Sequence, residues 1–490
     1  MKSLSTLIPP SELLAAKADV GQSIAGVTDS SRDASSGQLF FAVRGARSDG
    51  HGYVAQALAQ GAAAVVVEDR DCFEAHPRAI LVGSTRLALS RAASRWEDEP
   101  TRSFRLVGIT GTNGKTTSTF LLKHIWSALG LTSGIVGTVE YDIAGERERS
   151  TLTTPGPLGL QKLFSRMRTA KVSHAAMEVS SIALDQARVG GSAFEVALFT
   201  NLTLDHLDYH LDFESYFAAK RKLFHDYPLR RAVVNIDDPW GRKLFEGLEP
   251  EKRISFSLEN RSADFYASEL SFAKAGSSAR IETPSGEVSL VTPLIGKHNL
   301  YNCLGALAVE GALGHDLARA GAALANALGA PGRLERVMTG SNYPHVFVDY
   351  AHTDDALRNV LTALTALKRQ GPGKVITVFG CGGDRDRSKR PKMGEIASSL
   401  SDITIATSDN PRTESPDRII DEIENGIDRT RTTYHRAVDR RAAIHEALRL
   451  AQPDDIVLVA GKGHETYQII GREEFPFDDR EVIRDYYRSL

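Results

Sequence analysis

The 490-residue chain has few cysteines and almost no net charge, and each of these absences excludes a class of protein. Its only cysteines are Cys72, Cys303 and Cys381, too few and too widely spaced for a disulfide framework or a thiolate metal site. Lys and Arg total 59 against 62 Asp and Glu, which gives a formal charge of −3. This balance offers no electrostatic reason to expect a nucleic acid or an anionic membrane as partner.

Long apolar runs are also missing. The longest uncharged stretch, residues 125–139, contains three glycines and is shorter than the roughly 20 residues needed to cross a bilayer. The first twenty residues contain prolines and charges where a signal peptide requires an unbroken apolar core. We therefore predict a cytoplasmic protein without membrane insertion.

Short runs of β-branched and aliphatic residues recur between amphipathic stretches. They lie at residues 63–67, 105–110, 196–200, 231–236, 346–350, 374–380, 403–407 and 455–461. Buried strands that alternate with helices predict an α/β fold built on doubly wound, mostly parallel sheets. In such sheets ligands bind outside the carboxyl ends of the strands. Residues 259–295 do not follow this alternation, and we expect irregular β-structure there.

The chain is longer than a single hydrophobic core usually supports, and we predict three domains. A polar segment at residues 98–105 precedes a strand and a glycine-rich loop, and a second break lies at residues 329–337. The predicted domains are an N-terminal domain over 1–103, a central P-loop ATPase domain over 104–335 and a Rossmann-like C-terminal domain over 336–490.

The strongest chemical signal is the segment GITGTNGKTTST at residues 108–119, which follows an apolar strand and opens a helix near Lys115. Its glycines let backbone N–H groups surround phosphate oxygens, while Lys115 supplies a charge to the terminal phosphates and Thr116 can bind Mg²⁺. The common pattern G-x-x-x-x-G-K-[ST] would place its first glycine at Ile109, whereas this chain has Gly108. A fortuitous glycine turn is the alternative interpretation.

The variant G-T-N-G-K-T-T resembles the loop of the Mur ligase family and of the related folylpolyglutamate synthetases. The similarity to Mur ligases continues through ordered blocks along nearly the whole chain. These blocks are DSSRDASSGQLFFAVRG at 29–45, TTPGP at 153–157, MEVSSIALDQAR at 177–188, FTNLTLDHLDYH at 199–210, YFAAKRKLF at 216–224, GKHNLYN at 296–302, PGRLERV at 331–337, DYAHT at 349–353, GCGGDRDRSKRPKMG at 380–394, DNPRTE at 409–414 and AGKGHE at 460–465.

The resemblance implies a role for many single residues around ATP. The implied ATP contacts are Gly111, Thr112, Asn113, Gly114, Lys115, Thr116, Thr117, Asn299, Arg333 and Asp349. The implied magnesium ligands are Thr116, Glu178, His206 and a carbamylated Lys220, and the implied catalytic set is Lys115, Glu178, His206 and Lys220. Without the resemblance, Glu178 and His206 would be interpreted as solvated or hydrogen-bonded residues. Lys220 would then belong to a solvated basic helix face.

The resemblance also implies two further substrate sites. Residues matching contacts to a UDP-N-acetylmuramoyl dipeptide are Ser31, Thr153, Thr154, Ser180, Gln186 and Arg188, with the loop at 46–48 near the uridine. Residues matching contacts to the incoming amino acid are Arg385, Asp409, Asn410, Pro411, Arg412, Gly461 and Glu465. Family members that use meso-diaminopimelate carry D-N-P-R at this position. Arg412 can pair with the side-chain carboxylate that lysine lacks, and Glu465 with a substrate ammonium.

The resemblance thus implies a monomeric, ATP-dependent ligase of peptidoglycan precursor biosynthesis, with ATP as co-substrate and Mg²⁺ as cofactor. Its expected reaction adds meso-2,6-diaminopimelate to UDP-N-acetylmuramoyl-L-alanyl-D-glutamate through an acyl phosphate. Two alternatives stay open: an L-lysine-adding Mur ligase, and a P-loop ATPase that acts on a macromolecular partner. The sequence has neither the basic stripe nor the repeats that such a partner would require. The DSSR and DNPR blocks argue against a folylpolyglutamate synthetase.

Overall fold

The computed structural model describes residues 1–45, 48–203, 207–337, 342–368 and 371–489. The chain divides into two compact units, each with its own core. The first unit comprises residues 1–266 and 304–320, and the second comprises residues 267–303 and 321–490.

The N-terminal part of the first unit is a small α/β layer. Its strands are β1 (Lys2–Ser3), β2 (Leu13–Ala16), β3 (Ser23–Ile24), β4 (Gly26–Thr28), β5 (Gln38–Phe41), β6 (Ala64–Val67) and β7 (Ala79–Val82). Its helices are α1 (Leu4–Leu7), α2 (Val54–Ala59), α3 (Arg70–Ala75) and α4 (Thr85–Trp96). The sheet order is β2-β7-β6-β5-β4, parallel except for the β2–β7 pair. Strand β6 is wholly apolar because apolar clusters cover both of its faces.

The rest of the first unit is a larger sheet with flanking helices. Its strands are β8 (Arg105–Thr110), β9 (Ser133–Val136), β10 (Glu140–Ile143), β11 (Glu146–Arg149), β12 (His174–Glu178), β13 (Phe194–Phe199), β14 (Leu229–Asn235) and β15 (Arg253–Ser257). Its helices are α5 (Lys115–Ala128), α6 (Pro157–Thr169), α7 (Ser181–Asp185), α8 (Leu207–His210), α9 (Phe213–His225) and α10 (Pro239–Glu246).

Strand order in this sheet explains where its site forms. The order β9-β12-β8-β13-β14-β15 is parallel throughout, and β10 and β11 extend it antiparallel beyond β9. From β8 the chain passes to β9 on one side and later returns to β13 on the other. The carboxyl ends of β12, β8 and β13 therefore border the crevice where doubly wound sheets bind ligands.

Strand β16 (Phe265–Ala273) begins beside β15 and runs on into the second unit, where β17 (Gly276–Thr283) and β18 (Gly286–Thr292) follow. The prediction of β-structure at 259–295 is confirmed, but the prediction that this β-structure is irregular is wrong. Strands β17 and β18 form a regular antiparallel hairpin with continuous register, because alternate side chains along both strands are buried. Helices α11 (Lys297–Leu313) and α12 (Leu317–Ala323) come next.

The remaining elements of the second unit form a third α/β layer. Its strands are β19 (Glu335–Arg336), β20 (His345–Asp349), β21 (Val375–Phe379), β22 (Ile403–Ala406), β23 (Thr433–Arg436), β24 (Ile456–Ala460), β25 (Tyr467–Ile470) and β26 (Glu473–Pro476). Its helices are α13 (Asp354–Lys368), α14 (Lys389–Leu400), α15 (Pro416–Glu424), α16 (Arg440–Leu450) and α17 (Asp479–Arg488). The sheet order is β19-β20-β24-β21-β22-β23, with only β19 antiparallel, and separate apolar clusters cover its two faces.

The predicted fold class is confirmed: the chain is α/β with mostly parallel, doubly covered sheets. Every apolar run singled out in the sequence forms a strand, with ends that differ by no more than two residues. The domain boundaries near residues 103 and 335 stay predictions. In the described ranges, no helix has the length and apolar character that crossing a membrane would require.

Candidate active site

The predicted phosphate loop joins the carboxyl end of β8 to the first turn of α5. Lys115 is the first residue of this helix, and its Nζ donates to the carbonyl oxygens of Gly111 and Thr112 at 2.8 Å each. Gly111 has φ +150°, and a Cβ at this position would overlap the hydroxyl of Thr200. A glycine is therefore required at this close approach of the two backbones.

The loop is anchored to the end of β13 by hydrogen bonds. The Thr200 hydroxyl donates to the Asn113 carbonyl at 2.6 Å, and Asn201 Oδ1 accepts from the Asn113 N–H at 3.0 Å. The Thr112 N–H donates to the Asn201 carbonyl at 2.9 Å. These bonds hold the loop backbone in a defined shape beside the N-terminal end of α5, and the N-terminal end of a helix is suited to an anion such as phosphate.

Glu178, the last residue of β12, lies against the start of α5 and is buried. Its Oε2 accepts from Thr116 Oγ1 at 2.9 Å and from Thr138 Oγ1 at 3.1 Å, and its Oε1 accepts from the Thr138 N–H at 2.7 Å. Hydrogen bonds therefore fix the Glu178 carboxylate. Its Oε2 and the Thr116 hydroxyl lie side by side next to the phosphate loop.

Lys220 on α9 reaches the same loop. Its side chain is buried, its Nζ donates to the Gly111 carbonyl at 2.8 Å, and it lies 4.5 Å from the ring centroid of Tyr216. The interpretation of Lys220 as part of a solvated basic face is therefore wrong, because α9 turns this lysine inward while the neighbouring Arg221 is exposed. Carbamylation of Lys220 stays a prediction.

His206 lies outside the described residues, as does Ala46 of the loop at 46–48. The next histidine, His210 at the end of α8, is buried. Its Nε2 hydrogen-bonds with the Ser181 hydroxyl at 2.9 Å, and its ring stacks on Tyr216 at 5.2 Å.

A cleft in the first unit is lined by two of the predicted dipeptide contacts, Gln186 and Arg188. Its lining residues are Asp29, Val43, Arg44, Gly45, Arg86, Leu89, Leu152, Gly156, Pro157, Gln186 and Arg188. Three of them are arginines, a donor set suited to phosphate and carboxylate groups. Ser31 lies on the same loop as Asp29, and its hydroxyl donates to Gln56 Oε1 at 3.3 Å.

Hydrogen bonds connect this cleft with Glu178. Arg188 Nη1 donates to the Thr154 carbonyl at 2.8 Å, and its other nitrogens donate to Gln186 Oε1. The Thr154 hydroxyl donates to the Glu178 carbonyl at 2.8 Å and accepts from the Ser180 N–H at 3.1 Å. The structure therefore places these predicted dipeptide contacts beside the predicted magnesium ligand.

Thr153 lies near Thr138 and Glu178. Its hydroxyl is 3.0 Å from that of Thr138, which in turn bonds to Glu178.

In the second unit, the predicted nucleotide contacts Arg333 and Asp349 lie together. The Arg333 guanidinium stacks over the Tyr350 ring at 4.8 Å, and Asp349 Oδ2 accepts from the Leu334 N–H at 2.6 Å. Burial raises the pKa of Asp349, while the charge of Arg333 and two backbone N–H donors oppose this rise. Asn299 on α11 instead bonds within its own helix and to the Ile295 carbonyl.

The predicted amino-acid contacts gather at the carboxyl ends of β22 and β24. Asn410 Nδ2 donates to Glu465 Oε2 at 2.9 Å, across a gap of 55 residues in the chain. The backbone N–H of Gly461 donates to the Asp349 carbonyl at 3.0 Å. The nucleotide contact Asp349 and the amino-acid contacts therefore belong to one edge of the sheet. Pro411 is buried beside them.

Arg412 has a defined orientation. It has φ +51°, its N–H donates to the Ile469 carbonyl at 3.1 Å, and its Nη1 donates to the Gly383 carbonyl at 2.8 Å. Arg412 is half-buried, and its guanidinium has further N–H donors besides the one that bonds to Gly383. Arg385 lies on the loop after β21 and is exposed.

Several residues of these sites did not stand out as single residues in the sequence. Asn201 and Lys462 lie inside the matched blocks FTNLTLDHLDYH and AGKGHE, so the blocks marked their segments but not their roles. Arg44 and Arg86 line the cleft, and only Arg44 lies in a matched block. Thr138 carries no sequence signal, because its contact with Glu178 arises only when β9 and β12 pair.

Three family models match the chain in consecutive order. They are "Mur ligase family, catalytic domain" at residues 23–97, "Mur ligase middle domain" at 109–310 and "Mur ligase, glutamate ligase domain" at 332–463.

Curated relatives carry the name "UDP-N-acetylmuramoyl-L-alanyl-D-glutamate--2,6-diaminopimelate ligase". The relative from Trichormus variabilis is 44% identical over 468 residues, covering 94% of this chain and 93% of the relative. The relative from Gloeobacter violaceus is 45% identical over 464 residues, with the same coverage of both chains. A solved structure of a ligase of the same name is 32% identical with a TM-score of 0.74, covering 100% of this chain and 99% of that chain. The chain therefore belongs to the Mur ligase family.

Proposed function

We propose that the chain is an ATP-dependent amide-bond-forming ligase of peptidoglycan precursor synthesis. It adds meso-2,6-diaminopimelate to the D-glutamyl carboxylate of UDP-N-acetylmuramoyl-L-alanyl-D-glutamate. The observation that carries the substrate assignment is the oriented Arg412 beside Asn410 and Glu465, a cation and a carboxylate that match a zwitterionic side-chain end. Relatives that bear the name of this ligase at 44% and 45% identity support it.

The proposed reaction has two steps. The free carboxylate of the D-glutamyl residue attacks the γ-phosphorus of ATP, so that an acyl phosphate forms and ADP leaves. The amine of diaminopimelate then attacks the acyl carbon, loses a proton and displaces phosphate. Lys115 and the loop N–H groups lie where charge on the transferring phosphoryl group would be stabilised, which is the main protein contribution in such reactions.

The residues beside the loop fit a magnesium ion by their chemistry. Mg²⁺ is usually held by one or two carboxylates together with hydroxyl, water and phosphate oxygens. Glu178 and Thr116 supply such a carboxylate and hydroxyl, 2.9 Å apart, and a carbamylated Lys220 would add a second carboxylate. In the described segments, no three His, Cys, Asp or Glu side chains form a metal cluster, so phosphate and water would complete the shell. When bound, Mg²⁺ neutralises phosphate charge.

Three further parts of the proposal concern location, assembly and domain roles. The enzyme acts as a monomer in the cytoplasm, where ATP and nucleotide-linked precursors are available. Residues 1–103 bind the UDP end of the substrate, residues 104–335 bind ATP, and residues 336–490 bind the amino acid. Arg44 and Arg86, which both line the cleft, support the UDP-binding role of residues 1–103.

Phosphate release by the purified chain tests the function directly. The reaction contains ATP, Mg²⁺ and UDP-N-acetylmuramoyl-L-alanyl-D-glutamate, with meso-diaminopimelate, L-lysine or no amino acid added. We expect release only with diaminopimelate. Release with lysine alone would retain the ligase but remove the substrate assignment, and release without either amino acid would favour an ATPase with another partner.

Arg412→Ala is expected to raise KM for diaminopimelate by about 100-fold and KM for ATP by less than about 3-fold. The loss of one partner from a desolvated charge pair costs roughly 2–5 kcal/mol, and only the amino acid uses this pair. Steady-state kinetics with each substrate varied would measure the two constants. Arg418→Ala on the exposed face of α15 is the matched control and should change neither. Equal effects of Arg412→Ala on both constants would remove the role given to Arg412.

Lys220→Arg is expected to lower kcat by about 100-fold, although it keeps a positive charge. Arginine cannot carry the carbamate that would hold the metal, and loss of a group that supports a metal site typically costs 10-fold to 100-fold. The wild-type enzyme should also lose activity when bicarbonate is removed and recover when it is restored. Arg221→Lys, one residue along α9 and exposed, is the control. Full activity of Lys220→Arg would show that Lys220 acts as a plain cation.

A further inference from the structure

Lys462, in the loop after β24, is a charged side chain with no exposed surface. A buried ammonium is costly unless charged or polar acceptors surround it. Its Nζ donates to Glu465 Oε2 at 2.9 Å and to Asn410 Oδ1 at 3.1 Å, and it lies 5.5 Å from the ring centroid of Tyr467. Both acceptors belong to the proposed amino-acid site.

These contacts fix the orientations of the Asn410 and Glu465 side chains. Asn410 Oδ1 accepts from Lys462 and from the Ile469 N–H at 2.9 Å, so the amide nitrogen must point the other way, toward Glu465 Oε2. Lys462 and Asn410 therefore donate to the same carboxylate oxygen. Within the described ranges of the chain, Glu465 Oε1 receives no hydrogen bond, so this oxygen is available to a substrate ammonium.

The other charged residues near Glu465 agree with the assignment of Glu465 Oε1 to a substrate ammonium. Asp409 Oδ2 is buried without a hydrogen-bond donor in the described structure. A Cβ at Gly461, which has φ +114°, would lie 2.5 Å from this oxygen. The buried cation Arg440 is paired with Asp479, whereas the buried cation Lys462 is the one that bonds to Glu465.

We propose that Lys462 is a positioning residue of the amino-acid site: it fixes the Glu465 carboxylate and the Asn410 amide so that Glu465 Oε1 receives the substrate ammonium. This inference rests on the proposed function, because diaminopimelate is the ligand that supplies this ammonium. Lys462 acts through Glu465 and does not itself contact the substrate.

The test is a double-mutant cycle of Lys462→Met and Glu465→Gln, read as KM for diaminopimelate. Lys462→Met should raise this KM about 30-fold and leave KM for ATP within about 3-fold of wild type. In the Glu465→Gln background, Lys462→Met should add less than about 3-fold, because the carboxylate through which it acts is already gone. Lys392→Met on α14, an exposed lysine, is the matched control.

The two Michaelis constants separate positioning from a purely structural role. A general loss of folding would change both constants, whereas a lost orientation of Asn410 and Glu465 raises KM for diaminopimelate alone. Equal changes in both constants with a lowered Tm would overturn the proposal. If Lys462→Met does not fold, Lys462→Gln replaces it in the cycle, and a large effect of Lys462→Gln in the Glu465→Gln background would overturn the proposal. Wild-type turnover with diaminopimelate is measured first, so failure of the proposed function is recognised separately.

Discussion

Lys115→Met is expected to lower kcat by about 10³-fold or more while the chain stays folded. Lys115 Nζ lies within the phosphate loop, where it donates to the carbonyls of Gly111 and Thr112. In that position its charge would stabilise the transferring phosphoryl group more in the transition state than in the ground state. Loss of such an interaction lowers kcat, and 10³-fold corresponds to about 4 kcal/mol of transition-state stabilisation.

Single-turnover and steady-state phosphate release would measure this loss, and thermal unfolding would confirm the fold. Lys162→Met, at an exposed position on α6 of the same unit, is the matched control and should retain wild-type kcat. A variant that loses affinity for ATP but keeps kcat would contradict the prediction, because Lys115 would then contribute to ground-state binding only.

Glu178→Gln is expected to lower kcat by about 10²-fold to 10³-fold and to raise the Mg²⁺ concentration needed for half-maximal activity. Glutamine keeps the shape of the side chain. Its oxygen can still accept from the Thr138 N–H, and its NH₂ group can face the hydroxyls of Thr116 and Thr138, which can rotate to accept. The substitution therefore removes a negative charge from beside the loop with little change in packing.

Thr138→Val is the control that separates charge from hydrogen bonding. It removes one hydroxyl contact to Glu178 but keeps the carboxylate and the backbone N–H bond. We expect less than a 10-fold loss of kcat and an unchanged Mg²⁺ requirement. Equal effects of Thr138→Val and Glu178→Gln would mean that Glu178 only supports the backbone, and its role as a magnesium ligand would have to be withdrawn.

Much of the fold could be predicted from local sequence patterns. Apolar runs such as 105–110 and 455–461 form strands because burial on both faces of a parallel sheet requires continuous apolar residues. The phosphate loop could be predicted from the sequence because its glycines and Lys115 lie within a few residues of one another. The β-structure of residues 259–295 could be predicted but not its regularity, because the register of β17 and β18 depends on how the two strands pair.

The sequence by itself determined the α/β class, the phosphate loop and the ordered blocks that place this chain among the Mur ligases, because these signals are local. Tertiary structure alone decided which charged residues are buried and what they touch. Lys220 meets the Gly111 carbonyl across 109 residues, and Lys462 meets Asn410 across 52 residues. Periodicity within one helix or loop cannot show such contacts, because burial depends on which distant segments the folded chain brings together.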